Sequence, residues 1–381
     1  MENSMNKNIV GPMILLFSSQ SMGAVVNIAY SGQQPVTGSF IVVYEDNVLI
    51  ENKKSVLEKR GAHINRNFNS YLNGMAVEMP VHLVDSILRS DADIKYVENN
   101  GVVWIQGKGT DKGPKPQNGG RTNNSIPQVT PWGVVRVGGA KSVTGKRAWV
   151  LDTGVDLDNS DLVIGDNVNF LNDRKGKANN ADDRNGHGTH VAGIIAAIDN
   201  EIDSVGVSPG AEIMPIRVLD DSGFGTVDSV VAGLEYVFTR ATAGEVVNLS
   251  LATKGHYQSI HDLVIALAEK GVKVVVAAGN YAEDARMYEP AHIEHTNVYT
   301  VSAFGANDKF SAYSNYGNPP IDYSQPGDAI SSLAIGGGVA EYSGTSMAAP
   351  HLAGILLHGD PNNGGLVNGD PDGYADLIGR Y

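Results

Sequence analysis

The sequence predicts an α/β protein with a doubly wound, mostly parallel sheet, preceded by a small α+β unit. From residue 127 to the end, short apolar runs alternate with segments of helical periodicity, the pattern of buried parallel strands connected by helices. Residues 38–106 show the order β-α-β-β-α-β, which indicates a split βαβ, ferredoxin-like unit. Residues 107–126, rich in Gly, Lys and Asn, have the composition of a linker.

The first element is a candidate targeting segment, residues 1–24. Lys7 precedes an apolar run from Ile9 to Phe17, and mostly small residues follow as far as Ala24. This order is typical of a secretory signal peptide, and the apolar run is too short to span a bilayer. We therefore expect a secreted protein without a membrane anchor; a disordered tail is the alternative.

The small unit is predicted from alternating short patterns. Strands are predicted over Phe40–Tyr44, His63–Phe68, Tyr71–Pro80 and Ile94–Val97, and helices over residues 50–60 and Val81–Arg89. The second helix is amphipathic, and its apolar face is predicted to consist of Val81, Val84, Ile87 and Leu88.

The larger unit, residues 127–381, is predicted from its longer apolar runs. Buried strands are predicted over Arg147–Leu151, Glu212–Leu219, Glu245–Leu249 and Val272–Ala278, with helices over residues 189–198, 227–239 and 258–270. The tail after His358 is rich in Asn, Gly and Asp and is predicted to be irregular.

Charge and cysteine content exclude several classes of function. The net charge is −14, and residues 127–381 hold 31 acidic against 16 basic side chains. Such a surface repels phosphates, so we expect no nucleic-acid partner. The chain has no cysteine, which rules out disulfides, a cysteine nucleophile and cysteine-based zinc sites. A secreted chain without disulfides needs another form of stabilisation, and bound metal is one candidate.

Two motifs place an acid and a base beside strand and helix ends. Asp152 ends a predicted strand, where functional groups gather in open α/β sheets, although a lone Asp there is usually a turn former. His187 lies in the segment Asn185–Gly193, which begins a predicted helix. Gly188 stands where zinc proteases have glutamate, which disfavours a zinc site, and His190 is assigned to helix packing.

A third motif supplies a hydroxyl. Ser346 lies in the segment Gly344–His351, where a turn enters a predicted helix. Free N–H groups and the positive end of the helix dipole would stabilise a developing oxyanion there. Taken alone, a serine at this position would be assigned as a helix cap.

Together the three motifs, in the order Asp152, His187, Ser346, resemble the subtilisin-like serine protease family. The resemblance covers about residues 127–355, and residues 38–106 resemble the inhibitory propeptide of the family more loosely. It implies a secreted serine endopeptidase that cleaves polypeptides through an acyl-enzyme.

The resemblance also implies a role for each catalytic residue. Ser346 would be the nucleophile, His187 the general base, and Asp152 the group that orients the imidazole. Asn280 follows the apolar run Val272–Ala278, as the oxyanion-hole asparagine of the family does.

Substrate binding by strand addition is a further implication. The residues that match the two substrate-binding edges are Gly223, Phe224 and Gly225 on one side and Ser250, Leu251 and Ala252 on the other. Ala252 stands where the family often has glycine, so its Cβ is expected to narrow the cleft. The bulky segment Tyr281–Ala291 leaves the preferred substrate residue open.

A Ca²⁺ site is implied by six positions. The residues that match the family's oxygen ligands are Gln128, Asp161, Ile198, Asn200, Ile202 and Ser204, with Ile198, Ile202 and Ser204 contributing carbonyls. A polar surface loop without metal is the alternative.

Self-processing follows from the resemblance to a propeptide. We expect a monomeric zymogen whose own propeptide is an intramolecular inhibitor, cut after Gln106 or nearer Pro127. Two other classes remain as alternatives. A catalytically dead relative would act by binding, and a serine-carboxyl peptidase would carry glutamate in place of His187.

Overall fold

The computed structural model describes the backbone of residues 25–27 and the whole of residues 36–105, 125–171 and 180–381. The predicted signal peptide, Gln106 and the predicted linker as far as residue 124 lie outside the described residues. Within the described ranges, no helix has both the length and the apolar character needed to cross a bilayer.

The small unit is a single sheet with two helices. Its elements are β1 (Val25–Asn27), β2 (Ser39–Tyr44), α1 (Ile50–Lys59), β3 (His63–Phe68), β4 (Gly74–Glu78), α2 (Val81–Ser90) and β5 (Ile94–Asn99), followed by the separate strand β6 (Val102–Ile105). The strand order is β1-β5-β2-β4-β3, and β2 pairs antiparallel with both β4 and β5. The β-α-β-β-α-β order of the sequence is therefore present.

The sheet of the small unit is buried on both faces. Along β2, Phe40 and Val42 pack in the cluster that α1 and α2 cover, whereas Ile41 and Val43 pack in a cluster shared with the larger unit. All six residues of β2 are buried. This explains why the strand is a continuous apolar run and does not alternate with polar residues.

Two details of the small unit differ from the sequence prediction. Val81 was predicted on the apolar face of α2 but is 62% exposed, while Val84 and Ile87 are buried. The strand predicted over Tyr71–Pro80 is shorter, because the backbone N–H groups of Tyr71 and Leu72 donate to the carboxylate of Glu235 and not to a neighbouring strand.

The larger unit contains the remaining elements. The helices are α3 (Trp132–Arg136), α4 (His187–Ala196), α5 (Val227–Arg240), α6 (Gln258–Glu269) and α7 (Thr345–Leu356). The strands are β7 (Arg147–Asp152), β8 (Val163–Ile164), β9 (Val168–Asn169), β10 (Glu212–Arg217), β11 (Phe224–Thr226), β12 (Val246–Leu249), β13 (Leu251–Lys254), β14 (Lys273–Ala277), β15 (Tyr288–Glu289), β16 (Val298–Gly305), β17 (Lys309–Phe310), β18 (Ile321–Pro326), β19 (Ile330–Leu333), β20 (Val339–Tyr342), β21 (Asn362–Leu366) and β22 (Leu377–Arg380).

A mostly parallel sheet forms the centre of the larger unit, as predicted. Its order is β21-β22-β18-β16-β14-β12-β7-β10-β8, and the pairs from β18 to β8 are parallel. One face packs against α5 and α6, and the other packs against α4 and α7. The strand order reverses beside β7, so the carboxyl ends of β7 and β12 border the crevice where ligands bind in such sheets.

The C-terminal tail contradicts the prediction that it is irregular. Strands β21 and β22 form an antiparallel hairpin, and β22 adds to the edge of the central sheet beside β18. Ile378 is fully buried, and the Tyr381 hydroxyl donates to the Val207 carbonyl at 2.8 Å. Apolar residues in this tail are too sparse to give a local strand pattern, so its pairing with β18 decides the structure.

Candidate active site

An acid and a base meet at the end of the central sheet. Asp152 is the last residue of β7 and His187 the first of α4, and both are buried. His187 Nδ1 lies 2.8 and 2.9 Å from the two carboxylate oxygens of Asp152. The Asp152 Oδ1 also accepts from the Thr153 N–H at 2.7 Å. This contact places the Nδ1 proton on the side of Asp152, and leaves Nε2 as the basic atom of a neutral ring.

The start of α4 is held by a second carboxylate. Asp183 accepts from Thr153 Oγ1 at 2.9 Å and from Thr189 Oγ1 at 2.7 Å, and it also accepts from three backbone N–H groups of the turn. Gly188 is required by close packing, because a Cβ there would lie 2.0 Å from the Gly154 carbonyl oxygen. These contacts fix His187 relative to β7.

Ser346 lies on α7, which packs against the same core cluster as α4. It lies in the first turn of the helix and is fully buried. Its Oγ donates to the Ser250 carbonyl at 3.1 Å, and Ser250 Oγ donates to the Ser346 carbonyl at 2.9 Å. Ser250 directly follows β12, so the serine is tied to the central sheet. The Nε2 atom of His187 is buried and has no hydrogen-bond partner among the described residues.

Asn280 presents a free donor beside the serine. Its Oδ1 accepts from the N–H and the Oγ1 of Thr345, each at 2.9 Å, which fixes the orientation of the amide. Its Nδ2 is buried without a hydrogen-bond partner in the described part of the chain. A buried, unpaired N–H group is costly, so this donor is suited to an anion that arrives with a ligand.

The two predicted substrate edges are occupied by a strand of the chain itself. β6 lies antiparallel between β11 and β13, with Trp104 opposite both Phe224 and Ala252. The Ile105 N–H donates to the Gly223 carbonyl at 3.1 Å. A Cβ on Gly223 would lie 2.8 Å from the Ile105 side chain, so glycine permits this close approach.

The six predicted substrate-binding residues line these edges. Gly223, Phe224 and Gly225 lie at or in β11, Ser250 follows β12, and Leu251 and Ala252 begin β13. Beside them, Trp104 Nε1 donates to the Tyr281 hydroxyl at 2.5 Å, and the ring of Tyr281 stacks on that of Tyr288 at 5.4 Å. The bulky segment noted in the sequence therefore contributes an aromatic wall to the cleft.

The six predicted metal positions also converge. Asn200 N–H donates to Gln128 Oε1, and Asn200 Nδ2 donates to Asp161 Oδ1, both at 2.6 Å. Two further N–H groups donate to Asp161: that of Ile198 to the backbone carbonyl at 3.0 Å, and that of Ser204 to Oδ2 at 3.5 Å. The Ile202 N–H donates to Asn200 Oδ1 at 2.7 Å.

Asp161 is the charged member of this group and is completely buried. Burial raises its pKa to about 6, against weaker opposing hydrogen bonds from Asn200 and Ser204. The side-chain oxygens of Asp161, Gln128 and Asn200 are of the type that Ca²⁺ takes as ligands, and a cation there would offset the desolvation of the Asp161 carboxylate.

His190 is a structural residue, as the sequence indicated. It is fully buried, and its Nε2 lies 3.0 Å from the Ile330 carbonyl and 3.1 Å from the Ala340 carbonyl. Its ring stacks on Tyr342. Burial lowers its pKa to about 3, so the ring is neutral and ties α4 to β19 and β20.

Sequence reasoning missed three residues that hold the site. Asp183 organises the turn before His187, and Thr345 orients Asn280. Asp203 accepts from the Ile126 N–H at 2.8 Å and so anchors the arm that carries Gln128. Thr345 directly precedes the serine, which was an available signal. The partner of Asp203 lies 77 residues away and gave none, whereas most partners of Asp183 lie within six residues of it.

Comparison with known proteins gives one consistent result. Residues 149–358 match the subtilase family. The alkaline serine protease ver112 of Corniculantispora psalliotae is 30% identical over 346 residues, covering 86% of this chain and 81% of that protein. An extracellular serine proteinase of Thermus sp. (strain Rt41A) is 32% identical, covering 84% and 80%. A crystal structure of a cold adapted subtilisin-like serine proteinase superposes with a TM-score of 0.55 at 31% identity, covering 62% of this chain and 88% of that one.

Proposed function

The chain belongs to the subtilase family and is a serine endopeptidase, and we propose that it cleaves polypeptides with the triad Asp152, His187 and Ser346. The observation that carries the proposal is the contact of His187 Nδ1 with Asp152, which leaves Nε2 buried and without a hydrogen-bond partner among the described residues. A protein that only binds polypeptides would gain nothing from a buried, unpaired Nε2, which costs free energy.

The proposed mechanism begins with proton transfer from the serine. Ser346 Oγ gives up its hydrogen bond to the Ser250 carbonyl and donates to His187 Nε2 instead. As Oγ attacks the scissile carbonyl, Nε2 takes the hydroxyl proton. Asp152 holds the ring and stabilises the imidazolium. The same proton then passes to the leaving amine, and a water molecule repeats the sequence to hydrolyse the acyl-enzyme.

The oxyanion is proposed to form between two donors. One is the unpaired Asn280 Nδ2, and the other is the Ser346 backbone N–H in the first turn of α7. Both are fixed before substrate arrives, so little reorganisation is needed as charge develops.

A fluorophosphonate tests the proposed nucleophile directly. We expect the processed protein to be labelled at one position, and mass spectrometry should place the label on the peptide that contains Ser346. Absence of labelling in folded, processed protein would favour the inactive binding protein instead.

Substrates are proposed to bind as an added strand between β11 and β13. β6 already occupies this position, with backbone pairing on both sides and its residues facing alternate walls. The aromatic wall of Tyr281 and Tyr288 favours substrates with a large side chain at the position of Trp104.

Residues 38–106 are proposed to be an intramolecular inhibitor. Glu235 on α5 accepts four backbone N–H groups from residues 69–72 at 2.8–3.1 Å. Asn100 Nδ2 donates to Asp228 at 2.7 Å, and the Asp228 N–H donates back to Asn100 Oδ1 at 3.0 Å. The 30% identical relative from Corniculantispora psalliotae matches 86% of this chain, more than residues 127–381 alone, so an N-terminal part is shared.

Self-cleavage is proposed at the end of β6. Ile105 pairs with Leu251 in an antiparallel register. If this register continues by one residue, the next partner is Ser250, whose carbonyl accepts a hydrogen bond from Ser346 Oγ. This register favours a cut after Gln106 over one near Pro127. The cut position itself lies outside the described residues.

Release of the inhibitor should depend on pH through Glu98 at the interface. Glu98 is buried beside Ser259 at the start of α6, and its pKa is raised to about 7 by burial, with a further contribution from Asp262. In the free unit the carboxyl ionises near its ordinary value of 4.5. The bound state therefore holds a proton that the free state loses, and binding weakens as pH rises from about 4.5 to about 7.

We expect the inhibition constant of the cleaved unit to rise by roughly a hundredfold across this range. Glu98→Gln, which is neutral at every pH, should flatten the dependence. Inhibition constants of the two forms, measured against processed enzyme from pH 4.5 to 7, check this. Equal pH dependence in both forms would show that another group controls release.

Ca²⁺ is proposed to bind at Gln128, Asp161, Ile198, Asn200, Ile202 and Ser204. When bound, the ion would supply charge compensation for Asp161 and would join the N-terminal arm to the segment after α4. In a chain without cysteines, this link would replace disulfides as the means of holding the arm.

Asp161→Ala should remove most of the stabilisation by calcium. A ligand at a hundredfold excess over its Kd stabilises the folded state by about 2.7 kcal/mol, so the processed parent enzyme should lose that amount in EDTA. The variant should have the lower Tm already in calcium, with no further loss in EDTA. The matched variant Asp158→Ala should behave like the parent. Parent protein whose Tm is the same in calcium and EDTA would contradict the proposal.

Export and a monomeric state complete the proposal. The relative from Thermus sp. is named an extracellular serine proteinase, and an apolar run near the N-terminus of this chain has the form of a signal peptide. Processed protein is expected in the culture medium as a single species on size-exclusion chromatography. Its N-terminal sequence would give the cut position.

A further inference from the structure

A cluster of histidine and glutamate side chains lies away from the triad. His256 follows β13, Glu289 ends β15, and His292 lies three residues farther on. One ligand atom from each falls within 4.8 Å of the others. The proposed peptidase mechanism and the calcium site use none of these residues.

The two imidazoles face each other through ring nitrogens. His256 Nδ1 lies 3.2 Å from His292 Nε2, and the rings are nearly perpendicular with centroids 4.2 Å apart. Two nitrogen ligands on one tetrahedral zinc ion, each at 2.0–2.1 Å, would be about 3.3 Å apart. The observed separation is close to that value. Without an ion, the same contact is a single N–H···N hydrogen bond from His256 Nδ1 to His292 Nε2.

The surroundings prepare His292 as a ligand. Its Nδ1 lies 3.2 Å from the Tyr288 carbonyl and 3.4 Å from Glu289 Oε2, so the ring proton has acceptors on that side and Nε2 keeps its lone pair. Such outer partners orient metal-binding histidines.

Glu289 supplies the charge. It is completely buried, its Oε2 accepts from the Tyr257 N–H at 3.2 Å, and its Oε1 has no hydrogen-bond partner among the described residues. A buried carboxylate with an unpaired oxygen is costly unless it meets a cation or takes up a proton. The neighbouring charged groups, Glu98 and Asp262, are acidic and increase the need for a cation.

We propose that His256, Glu289 and His292 bind a divalent transition-metal ion of the zinc class. Two imidazoles and one carboxylate suit zinc, whereas calcium takes oxygen ligands. His256 is exposed, so water or the nearby His261, whose ring centroid is 5.6 Å from that of His292, can complete the coordination.

The ion would stabilise the substrate-binding edge. β15 pairs antiparallel with β13, with Thr253 opposite Glu289 and Lys254 opposite Tyr288. The ion would connect the turn after β13 to the segment after β15. That turn also contacts the small unit, since a Cβ on Gly101 would meet the Tyr257 hydroxyl at 2.0 Å. Metal binding would therefore hold the edge of the cleft that pairs with β6.

The test uses full-length chain carrying Ser346→Ala, so that binding is measured without turnover or self-digestion. Zn²⁺ is titrated by calorimetry in the presence of excess Ca²⁺, and Co²⁺ is titrated by visible absorption to report tetrahedral coordination. We expect one zinc ion per chain and a rise in Tm. His256→Ala and His292→Ala should each weaken zinc binding at least tenfold, and Glu289→Gln should weaken it by about 10–100-fold.

His295→Ala, in the same loop, is the matched control and should bind zinc like the parent. The Tm of each variant without zinc shows that it is folded. Zinc binding that persists unchanged in the His256→Ala, His292→Ala double variant would overturn the proposal. So would zinc binding that is lost on His187→Gln alone, which would assign the ion to the triad. Neither outcome depends on whether the chain is an active peptidase.

Discussion

Replacing Ser346 by alanine is expected to abolish peptidase activity and to leave the precursor uncut. The side chain is buried, and its Oγ donates a hydrogen bond to the Ser250 carbonyl, so the smaller residue should fit without disturbing α7. Loss of this nucleophile in subtilisin itself lowers kcat by about 10⁶, and we expect a similar loss here. β6 lies between β11 and β13, where we propose that the chain cleaves itself. Without the Ser346 nucleophile, this cleavage within one molecule should stop as well.

The measurement is the size of the chain made in a host strain deficient in proteases. Parent chain should appear as two fragments joined only by non-covalent contacts, and Ser346→Ala as one band of full size. Ser343→Ala, three residues earlier in the turn before α7, is the matched control and should be processed like the parent. Mature-sized Ser346→Ala protein would show that another protease makes the cut.

Replacing Asn280 by alanine is expected to lower kcat while leaving KM nearly unchanged. The Nδ2 group has no hydrogen-bond partner within the described part of the chain, so it is expected to contribute to the transition state and not to the bound substrate. Removal of such a donor in subtilisin costs about 10²–10³ in kcat, and the same range is expected here. The folded state should tolerate the change less well than a surface substitution, because Thr345 loses its acceptor.

Steady-state kinetics on a peptide substrate check this, with Asn363→Ala in the exposed C-terminal hairpin as a control that should match the parent. Asn280→Asp separates the two roles of the side chain. It keeps an oxygen for Thr345 and removes the Nδ2 donor, so its kcat should also fall. A rise in KM with kcat preserved would contradict the oxyanion role.

The sequence by itself determined the features that depend on neighbouring residues. The parallel sheet followed from apolar runs such as those at β7 and β14, which are buried on both faces. The positions of Asp152, His187 and Ser346 at strand and helix ends followed from motifs in which each functional residue is flanked by its own turn. Short-range patterns of this kind can be recognised without knowledge of the fold.

The tertiary structure alone decided which distant segments meet. β6 could not be placed between β11 and β13 from its own four residues, and the hairpin of β21 and β22 has too few apolar positions to predict its addition to β18. Glu98 and Glu289 carry no local sign of burial, yet both are buried in the folded chain. The contact between His256 and His292 likewise depends on the pairing of β13 with β15. In each case the stabilising partner lies tens of residues away, so the free energy that fixes the arrangement is absent from any local pattern.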